Sequence, residues 1–560
     1  MLSFAVFDSE GPLREWPVRL AYTSIAGELP LQSPVRLDQG KLVCDKASTD
    51  AAALTVQYPV DSPTLRKLAG EQAIPKGGDG TQGLLTLRTT LLPERDTPYL
   101  LSLELARHRI MEFLNRLEEW GMFDLPADDE VLQEFELARQ TFTQAIVAQR
   151  GSKDGAAIDA DRLARAALAQ AIDAGDKLAM RHADRALELR LSGKAYAKAS
   201  QQYTSIVGEA PTPGHAVVVP GTDYAVLPGA PMVGCAIAPD QFNEGLQKVA
   251  AGACDFIRCP MRWVDLEPGE GKYDFAPTDR WIEWAVRHAK VPVFGGPLID
   301  LRASCVPEWL YIWENDYETL RELVYDHVQQ IVTRYRRTVS RWSVCSGLHV
   351  NTNFKLSFEQ IMDLTRLCVL VVKKLHPAAK IEVDIAQPWG DYHAEQKRSL
   401  PPHMYAEAIV QAGLAVDAIG LRLQMGHAAQ GRTTRDLMAI SSLLDRYATL
   451  QKPLVITAAG VPSAPTASSG EPVRDGGFWR TPWNETTQAD WLGKLLAICV
   501  SKPYVQSVCW QDLGDGSPRA EMPGGGIATQ AGTPKPAALR MAQIRQALRA
   551  GKSFAALAGV

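Results

Sequence analysis

Leu454-Val455-Ile456-Thr457-Ala458-Ala459-Gly460 is an apolar, partly β-branched run closed by glycine, which reads as a buried strand entering a loop. It extends the run Pro453–Thr457. Seven further runs of this kind are Met232–Ile237, Cys254–Arg258, Val291–Gly295, Arg341–Cys345, Lys380–Ala386, Val416–Leu421 and Val505–Gln511. Helical patterns such as Asp279–Ala289, Tyr317–Arg336, Phe358–Leu375 and Thr487–Cys499 lie between them. Eight strands alternating with helices over residues 232–550 predict an α/β chain ending in a (β/α)8 barrel. In that fold chemistry sits at the C-terminal ends of the strands.

The preceding residues differ in texture. Residues 1–94 alternate short apolar runs with turn residues: Leu2–Phe7, Val18–Tyr22, Leu42–Cys44, Ala53–Tyr58 and Gly83–Leu91 read as strands, and Pro75–Gly80 as a loop. They predict a small β-sandwich-like domain, either carbohydrate-binding or a structural or oligomerisation module. Residues 95–205 read as helical. Thr97-Pro98 supplies an N-cap and first-turn proline. Leu103, Ala106, Ile110, Phe113 and Leu117 then form one apolar stripe. A second helix carries Leu132, Phe135, Phe142 and Ile146, and an Ala-rich third runs from about Asp159 to Leu191. The proline- and glycine-rich stretch 206–231 reads as a linker.

The chain has 560 residues and a formal net charge of −5, without a broad basic field, so nucleic acid is not an expected partner. No run of about 18 apolar residues appears, so no membrane span is expected. Asp8, Glu10, Arg14 and Glu15 interrupt any signal-peptide core. Nine cysteines without a CxxC pair fit reduced thiols and a cytoplasmic location.

The barrel region resembles family-10 glycoside hydrolases, the xylanase family, over about residues 255–545. Met261-Arg262-Trp263-Val264-Asp265-Leu266-Glu267-Pro268 through Tyr273-Asp274-Phe275 is similar to that family's Met-Lys-Trp…Leu-Glu-Pro-x-x-Gly-x-Tyr-x-Phe signature. Pro307-Glu308-Trp309, Arg334-Tyr335, Asp417-Ala418-Ile419-Gly420-Leu421, Trp510 and Pro534-Lys535-Pro536-Ala537 resemble later family elements, in order. The resemblance implies a sugar-cleaving barrel, yet places Ala458 at the nucleophile position and Gly347 at the acid/base position. Ser346, Cys259-Pro260 and Pro297 stand where further family polar residues are expected. No Asp or Glu lies within 338–353 or 446–470, so a shifted register restores neither carboxylate.

Retaining hydrolysis needs two carboxyl groups about 5–5.5 Å apart, and inverting hydrolysis about 6.5–9.5 Å. Asp300 and Asp512 are the candidates for a relocated pair, with Asp384, Asp391 and Glu485 as further acids near strand ends. The alternative is that such acids are satisfied by Arg302 or Arg422. Cys345 with His349 offers a Cys–His nucleophile, although a cysteine in an apolar strand is more often a buried small side chain. Asp391, His393 and His427 lack metal-binding spacing, so neither metal nor cofactor is expected.

The expected carbohydrate-binding residues are Arg262, Trp263, Trp389, Gln424, His427 and Trp510. Trp479 and Trp483, in the segment Gly476–Asn484, are placed to lid the mouth or dock another subunit. Two readings result. One is a catalytically inactive family-10-like protein that binds a glycan or acts as a scaffold, with homo-oligomerisation through its N-terminal domains. The other is an active xylanase-like glycoside hydrolase using relocated carboxylates.

Overall fold

A computed structural model describes residues 1–7, 12–13, 20–60, 82–151, 155–465 and 476–553. The loop expected at Pro75–Gly80 and the start of the Val18–Tyr22 run lie outside the described residues. In the N-terminal region, β1 (Leu2–Ala5), β2 (Ala21–Ser24), β3 (Val35–Asp38), β4 (Lys41–Cys44), β5 (Ala53–Val60), β6 (Gly83–Arg88) and β7 (Tyr99–Leu100) enter two four-stranded sheets. One has the order β3-β4-β1-β7. Thr97-Pro98 does not cap a helix: Tyr99 and Leu100 pair with Phe4 and Ala5 of β1, and the helix Leu101–Glu119 begins only after them. Sheet pairing here outcompetes the local capping signal.

That helix buries Leu103, Ala106, Ile110, Phe113 and Leu117, the stripe read from the sequence. It packs with Glu130–Gln149 and with the 36-residue helix Ala156–Leu191. Arg190, at the end of the long helix, reaches beneath the barrel and donates to the carbonyls of Val500 (2.8 Å), Lys502 (2.6 Å) and Val505 (2.7 Å). Residues 206–231 hold a short hairpin, β8 (Val217–Val218) and β9 (Ala225–Val226), whose valines cluster with Ala199 of the helix Lys194–Val207.

The barrel strands are β10 (Met232–Ala236), β11 (Phe256–Cys259), β12 (Val293–Gly295), β14 (Val339–Ser346), β15 (Lys380–Ile385), β16 (Ala418–Gln424), β17 (Leu454–Gly460) and β19 (Val505–Trp510). All neighbours are parallel, and the β12–β14 and β10–β19 pairings close the ring. β13 (Ile299–Asp300) extends the β12 path beyond a cis Gly296–Pro297 peptide and pairs with the end of β14. The chain is thus α/β with a C-terminal (β/α)8 barrel and N-terminal sheets.

β18 (Phe478–Trp479) leaves the barrel after β17 and adds an antiparallel edge to β6, giving the second N-terminal sheet the order β18-β6-β5-β2. Gly476–Asn484 therefore docks on this chain's own N-terminal sheet. Trp479 and Trp483 are buried, and their indole N–H groups donate to Asp176 (3.2 Å) and the Gly477 carbonyl (2.8 Å). All nine cysteines are unpaired and buried. Among the described residues no helix is long and apolar enough to cross a membrane.

Candidate functional site

The C-terminal ends of the barrel strands converge on a cluster of arginines and carboxylates. Asp300 ends β13 and is almost fully buried. Arg302, two residues on, donates to both its oxygens through Nε, at 2.9 Å each, and its backbone N–H adds a third bond at 3.1 Å. Arg302 also reaches Glu521, Nη2 to Oε1 at 3.1 Å. Arg422 of β16 donates to Glu521 Oε2 at 2.6 Å, Arg432 at 3.2 Å and Gln424 at 3.3 Å. One carboxylate thus gathers three guanidinium groups and an amide. Burial alone would raise the Glu521 pKa, but Arg302, Arg422 and Arg432 hold it well below the ordinary carboxylate range.

Asp512, two residues beyond β19, experiences the opposite balance. Burial and the neighbouring Glu521 charge push its carboxyl up to about 7, and its Oδ2 has no hydrogen-bond partner. Asp384 on β15 is 1% exposed and 3.9 Å from Arg422. Burial raises its pKa to about 6, against the pull of Arg258. Its position depends on Gly420 of the adjoining strand, where an added Cβ would lie 2.3 Å from Asp384 Oδ1. Deeper in the barrel, Glu382 pairs with Arg258 and Arg341.

The expected pair Asp300 and Asp512 is thus divided. Asp300 is committed to Arg302, the satisfied-acid alternative, whereas Asp512 keeps an unpartnered oxygen. Gly347 follows β14 with φ +67°. Ala458 is fully buried in β17 and opposite Arg422 of β16 in register. Neither place carries a polar side chain.

The remaining candidates scatter. Cys345 contacts the Tyr405 hydroxyl at 3.7 Å, and burial pushes its thiol up to about 12, the reverse of an activated nucleophile. His349 stacks on the same Tyr405 ring and makes a 2.9 Å hydrogen bond with the Ala386 carbonyl. Asp391 accepts from Tyr22 (3.0 Å) and Arg435 (2.8 Å), and so anchors the N-terminal sheet rather than serving the mouth. Glu485 opens the helix Glu485–Ser501 and lines neither mouth cavity.

Among the expected sugar contacts, Trp263 and Trp510 require correction. Each is 2% exposed. Trp263 stacks on His327 and donates to Glu267 at 2.8 Å, while Trp510 donates to the Gly525 carbonyl at 2.8 Å and packs edge-on to Trp491. Both are core residues with no ring face open to a ligand. Trp389 is half-buried under Arg435, away from the mouth, and lines a cavity against the N-terminal sheet. His427 turns toward its own loop and accepts from the Ala429 N–H at 3.1 Å. Arg262 pairs with Asp265 and donates to the Arg519 carbonyl, both at 2.7 Å. Gln424 points into the central cluster, and Arg262 lines the smaller mouth cavity beside Asp512.

Two cavities meet at Arg422. One of about 40 Å³ lies beside Asp300, Asp512 and Glu521, and one of about 190 Å³ lies beside Gln387, Gln424 and Arg432. Among the described residues no group of three or more His, Cys, Asp or Glu could hold a metal ion. Sequence reasoning missed Glu521 and Arg432. Glu521 sits in an irregular loop after the last strand, and only the surplus of arginines at strand ends hinted that a carboxylate must come from elsewhere.

The model for glycosyl hydrolase family 10 matches residues 226–521. Endo-1,4-beta-xylanase B of Thermotoga neapolitana is 22% identical over 250 residues, covering 44% of this chain and 66% of that protein. Endo-1,4-beta-xylanase A of Xylanibacter ruminicola is 24% identical over 200 residues, 33% of this chain and 48% of that protein. The chain thus spans about half to two thirds of the length of these curated relatives. Native xylanase 10B from Thermotoga maritima superposes with a TM-score of 0.43 at 17% identity, over 57% of this chain and 95% of that one. With the family model matched over more than half of its 560 residues, and that match lying on the closed eight-stranded barrel, the chain belongs to glycosyl hydrolase family 10.

Proposed function

We propose that this family 10 barrel holds a carbohydrate at its mouth without cleaving it. The carrying observation is the state of the mouth's acids, taken with Gly347 just after β14 and Ala458 near the end of β17. A retaining glycosidase needs one free ionised carboxylate and one protonatable carboxyl facing each other across the bond. Here Asp300 is fixed by Arg302, and Glu521 is neutralised by three arginines. The larger cavity, about 190 Å³, is lined by Arg302, Arg422, Arg432, Gln387 and Gln424, donors that suit sugar hydroxyls and acidic sugar groups. It is smaller than the roughly 300–1,000 Å³ typical of ligand pockets, which favours a single ring over a chain. Because the matched relatives are endo-1,4-beta-xylanases, xylose and xylo-oligosaccharides are the first ligands to test.

The test pairs turnover with binding. The full chain should release no 4-nitrophenol from 4-nitrophenyl xyloside above buffer, and should bind xylose or xylobiose in calorimetry, weakened by Gln424→Ala. Robust turnover would overturn the proposal.

One observation favours a second reading. Asp512, with a free oxygen and a pKa near 7, has the property of a general acid, and Glu521 beside it is ionised, though its three arginines weaken it as a base. A relocated pair would then be Asp512 with Glu521, not Asp300 with Asp512. Turnover that is lost in Asp512→Asn would establish it.

A further inference from the structure

A cavity larger than either of those at the mouth lies outside the barrel mouth. It holds about 290 Å³ where β2, β5 and β6 of the N-terminal sheet meet the helix Leu101–Glu119 and the barrel helix Leu437–Ala448. Five guanidinium groups line it, from Arg88, Arg109, Arg116, Arg435 and Arg446, with two carboxylates, Glu28 and Glu112, while Asp436, Asp391 and Glu119 behind the wall pair with Arg109, Arg435 and Arg116. Glu28 is shared between Arg88 (2.9 Å) and Arg446 (2.8 Å), so one negative charge serves two positive ones.

Some donors there remain unpaired after these contacts. The Nε–H groups of Arg109 and Arg435 have no partner, although these side chains are only 4% and 5% exposed, and the Ser24 hydroxyl, 2% exposed, is likewise unpaired. Buried donors are ordinarily satisfied, and an unmade one is costly. Against the cost of burial, Arg109, His108 and Arg116 hold the Glu112 carboxyl pKa down at about 2. Half-exposed Glu28 stands at the edge, so the cavity is reachable from solvent. Trp389 forms a wall, with Arg435 4.6 Å from its ring centre, and also lines an adjoining slot of about 160 Å³ walled by Pro30, Pro401 and Pro402.

We propose that this cavity is a binding site for a ring compound bearing an oxyanion: an acidic sugar, with its carboxylate or phosphate among the arginines and its ring against Trp389. Guanidinium groups match such anions through paired N–H donors, and an aromatic face suits the ring. The site is independent of whatever the barrel mouth holds.

Calorimetry on the full chain should use glucuronate, glucose 6-phosphate, inorganic phosphate and neutral glucose as separate probes. Saturable binding of glucuronate or glucose 6-phosphate is expected, and which of the two binds separates carboxylate from phosphate. Inorganic phosphate should bind at least tenfold more weakly, and glucose not at all. Arg446→Gln should weaken binding about tenfold or more, as should Trp389→Ala, while Glu521→Gln at the mouth should leave it unchanged. Arg88→Gln, on the partly exposed rim, gives a second charge test should Arg446→Gln unfold the chain, with circular dichroism confirming the fold of each variant. Absence of binding by both acidic sugars, binding indifferent to the arginine variants, or binding lost in Glu521→Gln would each overturn the proposal.

Discussion

Replacing Glu521 by alanine tests whether the mouth is held by one carboxylate. In the wild type Glu521 accepts from Arg302, Arg422, Arg432 and Gln424, and its side chain is 13% exposed. Arg302 retains Asp300 and Arg422 keeps Asp384 at 3.9 Å, but Arg432 loses its carboxylate partner and Arg422 its close one. Removing one partner of a buried ion pair costs about 3–5 kcal/mol. The residual exposure of Glu521 argues for the lower end, about 3 kcal/mol. For domains of 150–250 residues each kcal/mol lowers Tm by about 2–4 °C, and less for a larger barrel, so a drop of about 5 °C is expected. Differential scanning calorimetry at pH 7 measures it. The mechanism has a second signature: added acetate or formate should fill the vacated arginines and raise the Tm of Glu521→Ala more than that of the wild type. A Tm within about 1 °C of wild type, or equal anion response in both proteins, would show that the arginines are satisfied by solvent and that the cluster does not hold the mouth.

Further expectations can be checked with the same protein. Asp512 has its folded pKa raised to about 7 from 3.8, so its contribution to stability is complete below about pH 3.8 and is lost as pH rises through 7; Asp512→Asn should therefore gain stability relative to wild type at pH 8 and not at pH 4, by urea titration. Introducing glutamate at both Gly347 and Ala458 should not create xylan hydrolysis. Gly347 has φ +67°, where a side chain adds about 1–2 kcal/mol of backbone strain, so the Gly347→Glu single variant should also melt earlier. Arg190→Met should leave the Val500, Lys502 and Val505 carbonyls without their arginine donor and cost about 2–4 kcal/mol, read as faster proteolysis between the long helix and the barrel; unchanged proteolysis would mean water replaces the guanidinium.

The eight barrel strands were legible because each is a short apolar run with a helix-period segment after it, and parallel strands buried on both faces must be apolar throughout. The stripe on Leu101–Glu119 was legible for the related reason that one face of an amphipathic helix is buried. β18 was not legible: two residues in a glycine-rich loop have no periodicity, and their partner β6 lies about 400 positions earlier. Tyr99-Leu100 misled for a similar reason, since its pairing with β1 overrode a local capping signal.

The site divides along the same line. The sequence alone determined that Gly347 follows β14 and that Ala458 stands near the end of β17, because that depends only on order along the chain. It also determined that acids near the mouth stood beside arginines two residues away, as with Asp300 and Arg302. Only the tertiary structure decided that Glu521 would fold back to three arginines drawn from separate loops and strands, that Trp263 and Trp510 would be core, and that Trp389 would wall a cavity against the N-terminal sheet. Charge pairing and aromatic burial are set by distance in space, and a loop after the last strand can bring its carboxylate to any side of the barrel rim without leaving a periodic trace in the sequence.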